Sequence, residues 1–132
     1  MGTLARTGVH NPKVRDYTAR YPDYDSIDGF LRSVFRYRSE NDEIVRTPDF
    51  MLNDLETLGY LEGDCDDIAT LSASMLKTAG YPARLTAIKS TGPEEYDHVF
   101  AEAQVMGGWV PMDITEPRGT VYQVYGYVSE LI

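Results

Sequence analysis

The hydrophobic pattern of this chain changes its period at Pro82. Before this residue, apolar side chains recur every three to four positions, which predicts amphipathic helices. After it, apolar and polar side chains alternate in segments rich in Val, Thr and Tyr, which predicts strands. A chain whose helices precede its strands is expected to adopt an α+β fold, with helices packed on an antiparallel sheet.

The first third of the chain is predicted to contain an arm, one strong helix and a loop. Residues 1–25 read as an N-terminal arm, extended except for one short helix around Lys13–Arg20. Ser26 is the predicted N-cap of the helix that follows. A polar loop, Arg38–Arg46, comes next. The strong helix has its apolar residues on one face: Ile27, Phe30, Leu31, Val34 and Phe35.

Two further helices are predicted before Pro82. One covers residues 48–58, because Thr47 and Pro48 are typical of a helix start and Gly59 of a helix end. The other has apolar residues at helical spacing from Ile68 to Ala79 and ends at Gly80. Cys65 precedes Ile68 by three positions, so it is expected in the first turn and on the inward face of this helix.

The last third of the chain is expected to form an antiparallel sheet of about four strands. In the second of them, the side chains from His98 to Val105 alternate between two faces. The pattern contains no linker long enough to separate two domains, so we predict one domain over residues 1–132 with a core at 26–128. The predicted strands are Arg84–Lys89, His98–Val105, Trp109–Ile114 and Val121–Val128.

The formal net charge of −9 disfavours nucleic acid or an anionic membrane as a partner, because both require clustered Lys and Arg. No apolar stretch is long enough for a membrane span, and the first residues lack a signal-peptide pattern. The single cysteine excludes an intrachain disulfide. These features predict a cytoplasmic protein, and they are also compatible with location in a virion or another larger particle.

Cys65 has the surroundings that thiol chemistry requires. A thiol must lose its proton to act as a nucleophile, and the first turn of a helix favours the resulting negative charge. An adjacent imidazole completes the activation by taking the proton. The chain contains two histidines, and His10 lies in the predicted arm, so His98 is the candidate base. Asp113 ends the next predicted strand and is the candidate residue that orients His98.

Whether His98 meets Asp113 depends on the register of the predicted hairpin between them. If the turn centres between Val105 and Met106, the two residues face each other on adjacent strands. If Gly107 and Gly108 form a two-residue turn instead, Asp113 faces Glu102. We expect the first register, although the sequence alone leaves both open.

Several motifs resemble those of the transglutaminase-like superfamily, over roughly residues 26–117. The segment 63–69, Gly-Asp-Cys-Asp-Asp-Ile-Ala, is similar to the start of the family's nucleophile helix, and residues 79–84, Ala-Gly-Tyr-Pro-Ala-Arg, are similar to its end. Tyr81 replaces an aliphatic residue there. Residues 97–102 and 108–113 resemble the family's His-Ala-Trp-Val-Glu and Trp-Val-Pro-Val-Asp strands.

The resemblance implies a papain-like α+β fold, in a small stand-alone domain of the bacterial or phage type. It also implies a Cys-His-Asp triad of Cys65, His98 and Asp113. The chemistry implied is acyl transfer on amides, which includes peptide hydrolysis, glutamine crosslinking and deamidation. Some members of the family have no activity, so the motifs alone do not select among these outcomes.

Acidic residues surround Cys65, and they have three interpretations. Negative charge nearby opposes formation of a thiolate, acids are common at helix starts, and Asp64 and Asp66 would suit a basic or amine-bearing substrate. We predict these two aspartates and Trp109 as substrate-binding residues. The spacing of the acids matches no calcium loop, and one cysteine with one histidine is a poor zinc site, so no metal or cofactor is predicted.

The resulting prediction is a cysteine peptidase or amidase acting on a protein or peptide. Hydrolysis is favoured over crosslinking, because a small chain has little surface to hold two protein substrates while excluding water. The alternative is a catalytically silent module that assembles with a partner or with copies of itself. Three tyrosines near the C-terminus are compatible with a packing edge or a partner surface: Tyr122, Tyr125 and Tyr127.

Overall fold

A computed structural model describes residues 1–39 and 45–132 of the chain. Residues 40–44, which belong to the predicted polar loop, lie outside the described residues. The helices are α1 (Gly2–Gly8), α2 (Pro12–Arg20), α3 (Tyr24–Val34), α4 (Pro48–Leu58) and α5 (Cys65–Thr78). The strands are β1 (Phe35–Tyr37), β2 (Leu61–Gly63), β3 (Ala83–Lys89), β4 (His98–Val105), β5 (Gly108–Met112) and β6 (Gly126–Leu131). The predicted α+β class is confirmed.

The N-terminal residues form two packed helices, so the predicted extended arm is wrong. The short helix expected near Lys13–Arg20 is confirmed as α2, and the side chain of Asn11 caps it by accepting from the backbone N–H groups of Lys13 and Val14. Helix α1 has no side-chain cap, but its Ala5 is fully buried, and the hydroxyl of Ser74 donates to the Ala5 carbonyl. Tertiary packing therefore stabilises α1, and the local sequence has no pattern that would predict this helix.

Helices α3 and α4 lie close to their predicted positions. Helix α4 has the predicted bounds, with the Thr47 hydroxyl accepting from the N–H of Phe50. Helix α3 begins three residues before the predicted start, because Asp23 and not Ser26 is its N-cap. Ser26 is the third helical residue and completes a capping box with Asp23. The sequence pattern favours Ser26 as the cap because Ser26 lies nearer the apolar run than Asp23 does.

Helix α5 is the centre of the fold. Every residue from Asp67 to Leu76 is buried. A helix that is buried all round must be surrounded by other elements, and α1, α2, α3, α4 and β4 all pack against it. Small residues let these neighbours approach, and the buried hydroxyls of Thr70 and Ser72 donate to carbonyls one turn earlier. The cysteine at its first position is thereby held by the best-packed element.

The main sheet has four antiparallel strands in the order β5-β4-β3-β6, and β1 pairs with β2 in parallel. The inner face of β4 carries Val99, Ala101 and Ala103, which are buried in the core. The first three predicted strands are within two residues of those observed. The fourth is predicted too early and overlaps β6 only at residues 126–128, because residues 113–125 connect β5 at one edge of the sheet to β6 at the other.

A charged pair lies on the outer face of the sheet. Arg84 and Glu102 are direct partners on β3 and β4, and Nε of Arg84 lies 2.8 Å from Oε1 of Glu102. The Arg84 guanidinium also stacks 4.2 Å from the ring of Trp109. The Thr86 hydroxyl donates to the same glutamate oxygen. These partners compensate for the burial of Glu102, whose residue is 8% exposed.

Among the helices of residues 1–39 and 45–132, none combines the length and the apolar character needed to cross a membrane.

Candidate active site

Cys65 is the first residue of α5, and two aspartates fix this end of the helix. The Asp64 carboxylate accepts from the N–H of Asp67, and the Asp67 carboxylate accepts from the N–H of Asp64. This reciprocal capping box holds the first turn in place. The thiol therefore sits where unpaired N–H groups and the helix dipole favour negative charge.

Gly63 makes room for that capping box. A Cβ atom at this position would lie 2.6 Å from Oδ2 of Asp67 and 2.8 Å from its Cβ. Asp67 is fully buried, and its other oxygen accepts from the backbone N–H of Arg46 at 2.7 Å. Burial raises the pKa of Asp67. The glycine two residues before the cysteine is thus required by the close packing behind the helix start.

The hairpin between β4 and β5 turns at Met106 and Gly107. Both residues have positive φ, 52° and 85°, as a two-residue hairpin turn of type I′ requires. The resulting register pairs Val105 with Gly108 and Ala101 with Met112, so both registers considered from the sequence are wrong. Extrapolated past the last pair, Asp113 would lie opposite Phe100, which makes it a diagonal neighbour of His98.

His98 and Asp113 nevertheless meet. Nε2 of His98 lies 2.6 Å from Oδ2 of Asp113. The ion pair is largely buried, with 14% of the His98 side chain and 8% of the Asp113 side chain exposed. This contact leaves Nδ1 as the ring nitrogen available to a nucleophile.

Electrostatics favour the charged form of His98. The hydrogen bond with Asp113 raises the pKa of His98 to about 10, a hydrogen bond with the Cys65 side chain contributes next, and burial acts in the opposite direction. The imidazole thus interacts with the carboxylate and with the thiol. The three predicted catalytic side chains come together in space, and both partners of the imidazole favour its protonated form.

Comparisons with known proteins identify the family and the fold of the chain. The family model of the transglutaminase-like superfamily matches residues 10–114. The chain belongs to the transglutaminase-like superfamily. A search of curated proteins found no match. Among solved structures, the chain is similar to a protein from Cytophaga hutchinsonii described as a putative cysteine protease, with a TM-score of 0.64 and 16% sequence identity. The alignment covers 91% of this chain but 46% of that one, so the chain spans about half the length of this neighbour.

Asp113 has several hydrogen-bond partners besides His98. Its Oδ1 accepts from the backbone N–H and the hydroxyl of Thr115, at 3.2 and 2.8 Å. Its Oδ2, besides contacting His98, accepts from the hydroxyl of Tyr122. Burial by itself would raise the pKa of Asp113, but hydrogen bonds from His98, Tyr122 and Thr115 bring it below its ordinary value.

Helix α3 anchors the segment that carries Asp113. Nη2 of Arg32 donates to the Asp113 carbonyl at 2.8 Å, and Nη1 donates to the carbonyl of Glu116 at 2.5 Å. The Nε of Arg32 contacts both oxygens of Asp28, which is 2% exposed. Sequence reasoning missed Arg32 because it appears as an ordinary surface residue of an amphipathic helix.

Tyr37 is another site residue that sequence reasoning missed. It ends β1 and pairs with Gly63 of β2, beside the start of α5. Burial raises the pKa of Tyr37, and Cys65, Asp64 and Asp66 raise it further, which reflects their proximity. The residue is 59% exposed. The one indication in the sequence is that residues 35–37, Phe-Arg-Tyr, resemble the segment that precedes the cysteine in many members of the superfamily.

The predicted substrate-binding residues have different environments. Asp66 adjoins the thiol, with Oδ1 3.9 Å from Sγ of Cys65, and burial followed by the charge of Asp64 raises its pKa. Asp64 is engaged as the helix cap. Trp109 pairs with Gln104 at the far end of the hairpin, about 20 Å along β4 from His98. The structure brings Trp109 to Arg84 and not to the thiol.

In the parts of the chain that the structure describes, no three His, Cys, Asp or Glu side chains converge on a point that would hold a metal ion.

Proposed function

We propose that this chain is a cysteine-dependent acyl-transfer enzyme that acts on amide or peptide bonds. Cys65 is the nucleophile, His98 the acid and base, and Asp113 the residue that orients His98. The supporting observation is the contact of His98 Nε2 with Asp113 Oδ2 at 2.6 Å, in a ring that also interacts with the thiol of Cys65. A thiol paired with an oriented imidazolium is the arrangement that activates sulfur near neutral pH.

In the proposed reaction, the thiol proton resides on His98 and the Cys65 sulfur attacks the carbonyl carbon. The carbonyl π electrons move to oxygen as the C–S bond forms. When the tetrahedral intermediate collapses, the C–N bond breaks and His98 gives its proton to the leaving nitrogen. Water then loses a proton to His98 and attacks the thioester, which releases the acid and restores the thiol. Asp113 keeps the same ring nitrogen engaged throughout.

The oxyanion of the intermediate needs hydrogen-bond donors. Within the described residues, no acceptor is bonded to the backbone N–H of Cys65, so this group is a suitable first donor. We propose the Tyr37 hydroxyl as a second donor, because Tyr37 adjoins Cys65 on the neighbouring strand pair. Donors fixed beforehand around a developing charge are a major source of rate enhancement.

Replacing Tyr37 by Phe is expected to slow acylation about tenfold, a smaller loss than a fully buried oxyanion donor gives, since Tyr37 is 59% exposed and water competes with it. The measurement is kcat/KM on any substrate found, together with the alkylation rate of Cys65. The alkylation rate should be unchanged, because alkylation forms no oxyanion. Equal kcat/KM in the two proteins would remove Tyr37 from the site.

We propose hydrolysis as the main outcome, with a protein or peptide as the substrate. The test incubates the chain with peptides that contain Gln and Lys and analyses them by mass spectrometry for new termini, deamidated Gln and crosslinks. Cys65→Ala is the control. Products that require Cys65 and arise mainly from water support the proposal, whereas dominant crosslinks would identify a transglutaminase-type enzyme.

A catalytically silent assembly module is the second candidate. The observation in its favour is the apolar side chains exposed on β6, an edge strand of the sheet: Tyr127, Val128 and Leu131. Such edges pair readily with other chains. The assembly-module hypothesis predicts an unreactive Cys65 thiol and a stable oligomer or complex. A reactive thiol in a monomer would rule it out.

A further inference from the structure

Tyr122 lies in the connection between β5 and β6, a segment of no regular structure, and it contacts both members of the His98–Asp113 pair. Its hydroxyl donates to Oδ2 of Asp113, the oxygen that Nε2 of His98 also contacts. Its ring lies 5.6 Å from the His98 ring. One side chain thus touches the carboxylate and covers the imidazole.

Phe100 fixes the position of the Tyr122 ring. The two rings are stacked, with centroids 5.6 Å apart and an interplanar angle of 10°. Phe100 is itself buried on the outer face of β4, two residues after His98. The rigid strand therefore holds the tyrosine, and the segment around it passes over the sheet with Val121 and Val124 exposed.

We propose that Tyr122 is a positioning residue of the active site, whose hydroxyl holds the Asp113 carboxylate against the His98 ring. This inference rests on the proposed function in so far as that orientation serves catalysis. Thr115 fixes one carboxylate oxygen, and Tyr122 fixes the other in the place where it accepts from His98. Without the phenol, Oδ2 has one partner and the carboxylate has less hydrogen bonding to its ionised form.

The surroundings of the pair define which other groups influence it. The other charged or titratable groups that interact with His98, Asp113 or Tyr122 are Arg32 on α3, Cys65 and Asp66 on α5, and Glu116 in the segment after Asp113. Burial, followed by the hydrogen bond to Asp113, raises the pKa of Tyr122 far above its ordinary value. The phenol therefore remains a donor across the whole working range of pH.

The test is an NMR titration of the His98 ring, with the exposed His10 as internal reference. At acid pH the His98 resonances should show an inflection caused by protonation of Asp113, and Asp113→Asn should abolish it. In Tyr122→Phe this inflection should move up by about one pH unit, because the Asp113 carboxylate loses a charge-assisted hydrogen bond. The phenylalanine retains the stack on Phe100. Tyr125→Phe, an exposed tyrosine of the same segment, should leave the inflection unmoved.

Alkylation of Cys65 supplies the functional readout. Tyr122→Phe should slow it about fivefold at the pH of the native acid inflection, where about half of Asp113 is ionised in the native chain and about a tenth in the variant, and match the native rate at about pH 7. The inference would be overturned by any of three NMR results: an unmoved inflection in Tyr122→Phe, an equal shift in Tyr125→Phe, or an inflection that survives Asp113→Asn. Equal slowing of Cys65 alkylation by Tyr122→Phe at both pH values would also overturn it. A native thiol that is unreactive at low pH would instead defeat the proposed function, and the NMR result would still decide the role of Tyr122.

Discussion

His98→Ala is expected to slow the alkylation of Cys65 by iodoacetamide about 100-fold at about pH 6.5, because an ordinary thiol with a pKa near 8.5 is about 1% ionised there. In the native chain the imidazolium stabilises the thiolate, so the rate should stay high below about pH 7. At about pH 9.5 the two proteins should react within a few-fold of each other, since an ordinary thiol is then ionised as well. The measurement is the pH–rate profile of both proteins.

His10→Ala is the matched control, because His10 is exposed and lies between α1 and α2. It should follow the native profile. Superimposable profiles for the native chain and His98→Ala would mean that the thiol is not activated, and the assembly module would become the better interpretation.

The same ion pair predicts how stability depends on pH. The pKa of His98 is raised in the folded chain to about 10, above the value of about 6.5 expected in the unfolded chain. A raised histidine pKa contributes stability that is fully present below the unfolded value and is lost as pH rises through the folded value. The melting temperature should therefore fall between about pH 6.5 and 10, and His98→Ala should reduce this fall.

The sequence predicted the elements whose pattern is local. Periodicity and capping residues located α4 and α5, and alternation located β3, β4 and β5, because these signals lie within each segment. Helix α1 was missed, since its short sequence is helical through burial of Ala5 and contact with Ser74. The start of β6 was predicted five residues too early, because Val121 and Tyr122 have strand-like composition but lie in the segment that crosses the sheet.

The candidate site was predictable only in part, for a comparable reason. Cys65, His98 and Asp113 lie in recognisable motifs, and so do Arg84 and Glu102, whose pairing explains why both motifs end in a charged residue. The partners that orient Asp113 come from other parts of the chain, where no spacing rule relates a tyrosine to a carboxylate. Even the hairpin register was mispredicted, because Met106, a residue rarely found at positive φ, takes a turn position.

Gly63→Ala is expected to have the largest effect on stability, a loss of about 3 kcal/mol in the free energy of unfolding, from overpacking combined with broken buried hydrogen bonds. The new Cβ would lie 2.6 Å from Oδ2 of Asp67, and the fully buried carboxylate has no solvent-filled space to enter. Moving it would disrupt its bonds with the N–H groups of Asp64 and Arg46. Urea denaturation measures the loss.

The matched control for this substitution is Gly108→Ala, where an added Cβ meets nothing within 4 Å and the backbone needs no positive φ. Its effect should stay below about 1 kcal/mol, as for an open strand position. Because the Asp64–Asp67 capping box also sets the direction of the first turn of α5, Gly63→Ala should slow Cys65 alkylation at neutral pH in the protein that remains folded. Normal stability in Gly63→Ala would show that Asp67 can move freely, and the glycine before the cysteine would then need an explanation other than packing.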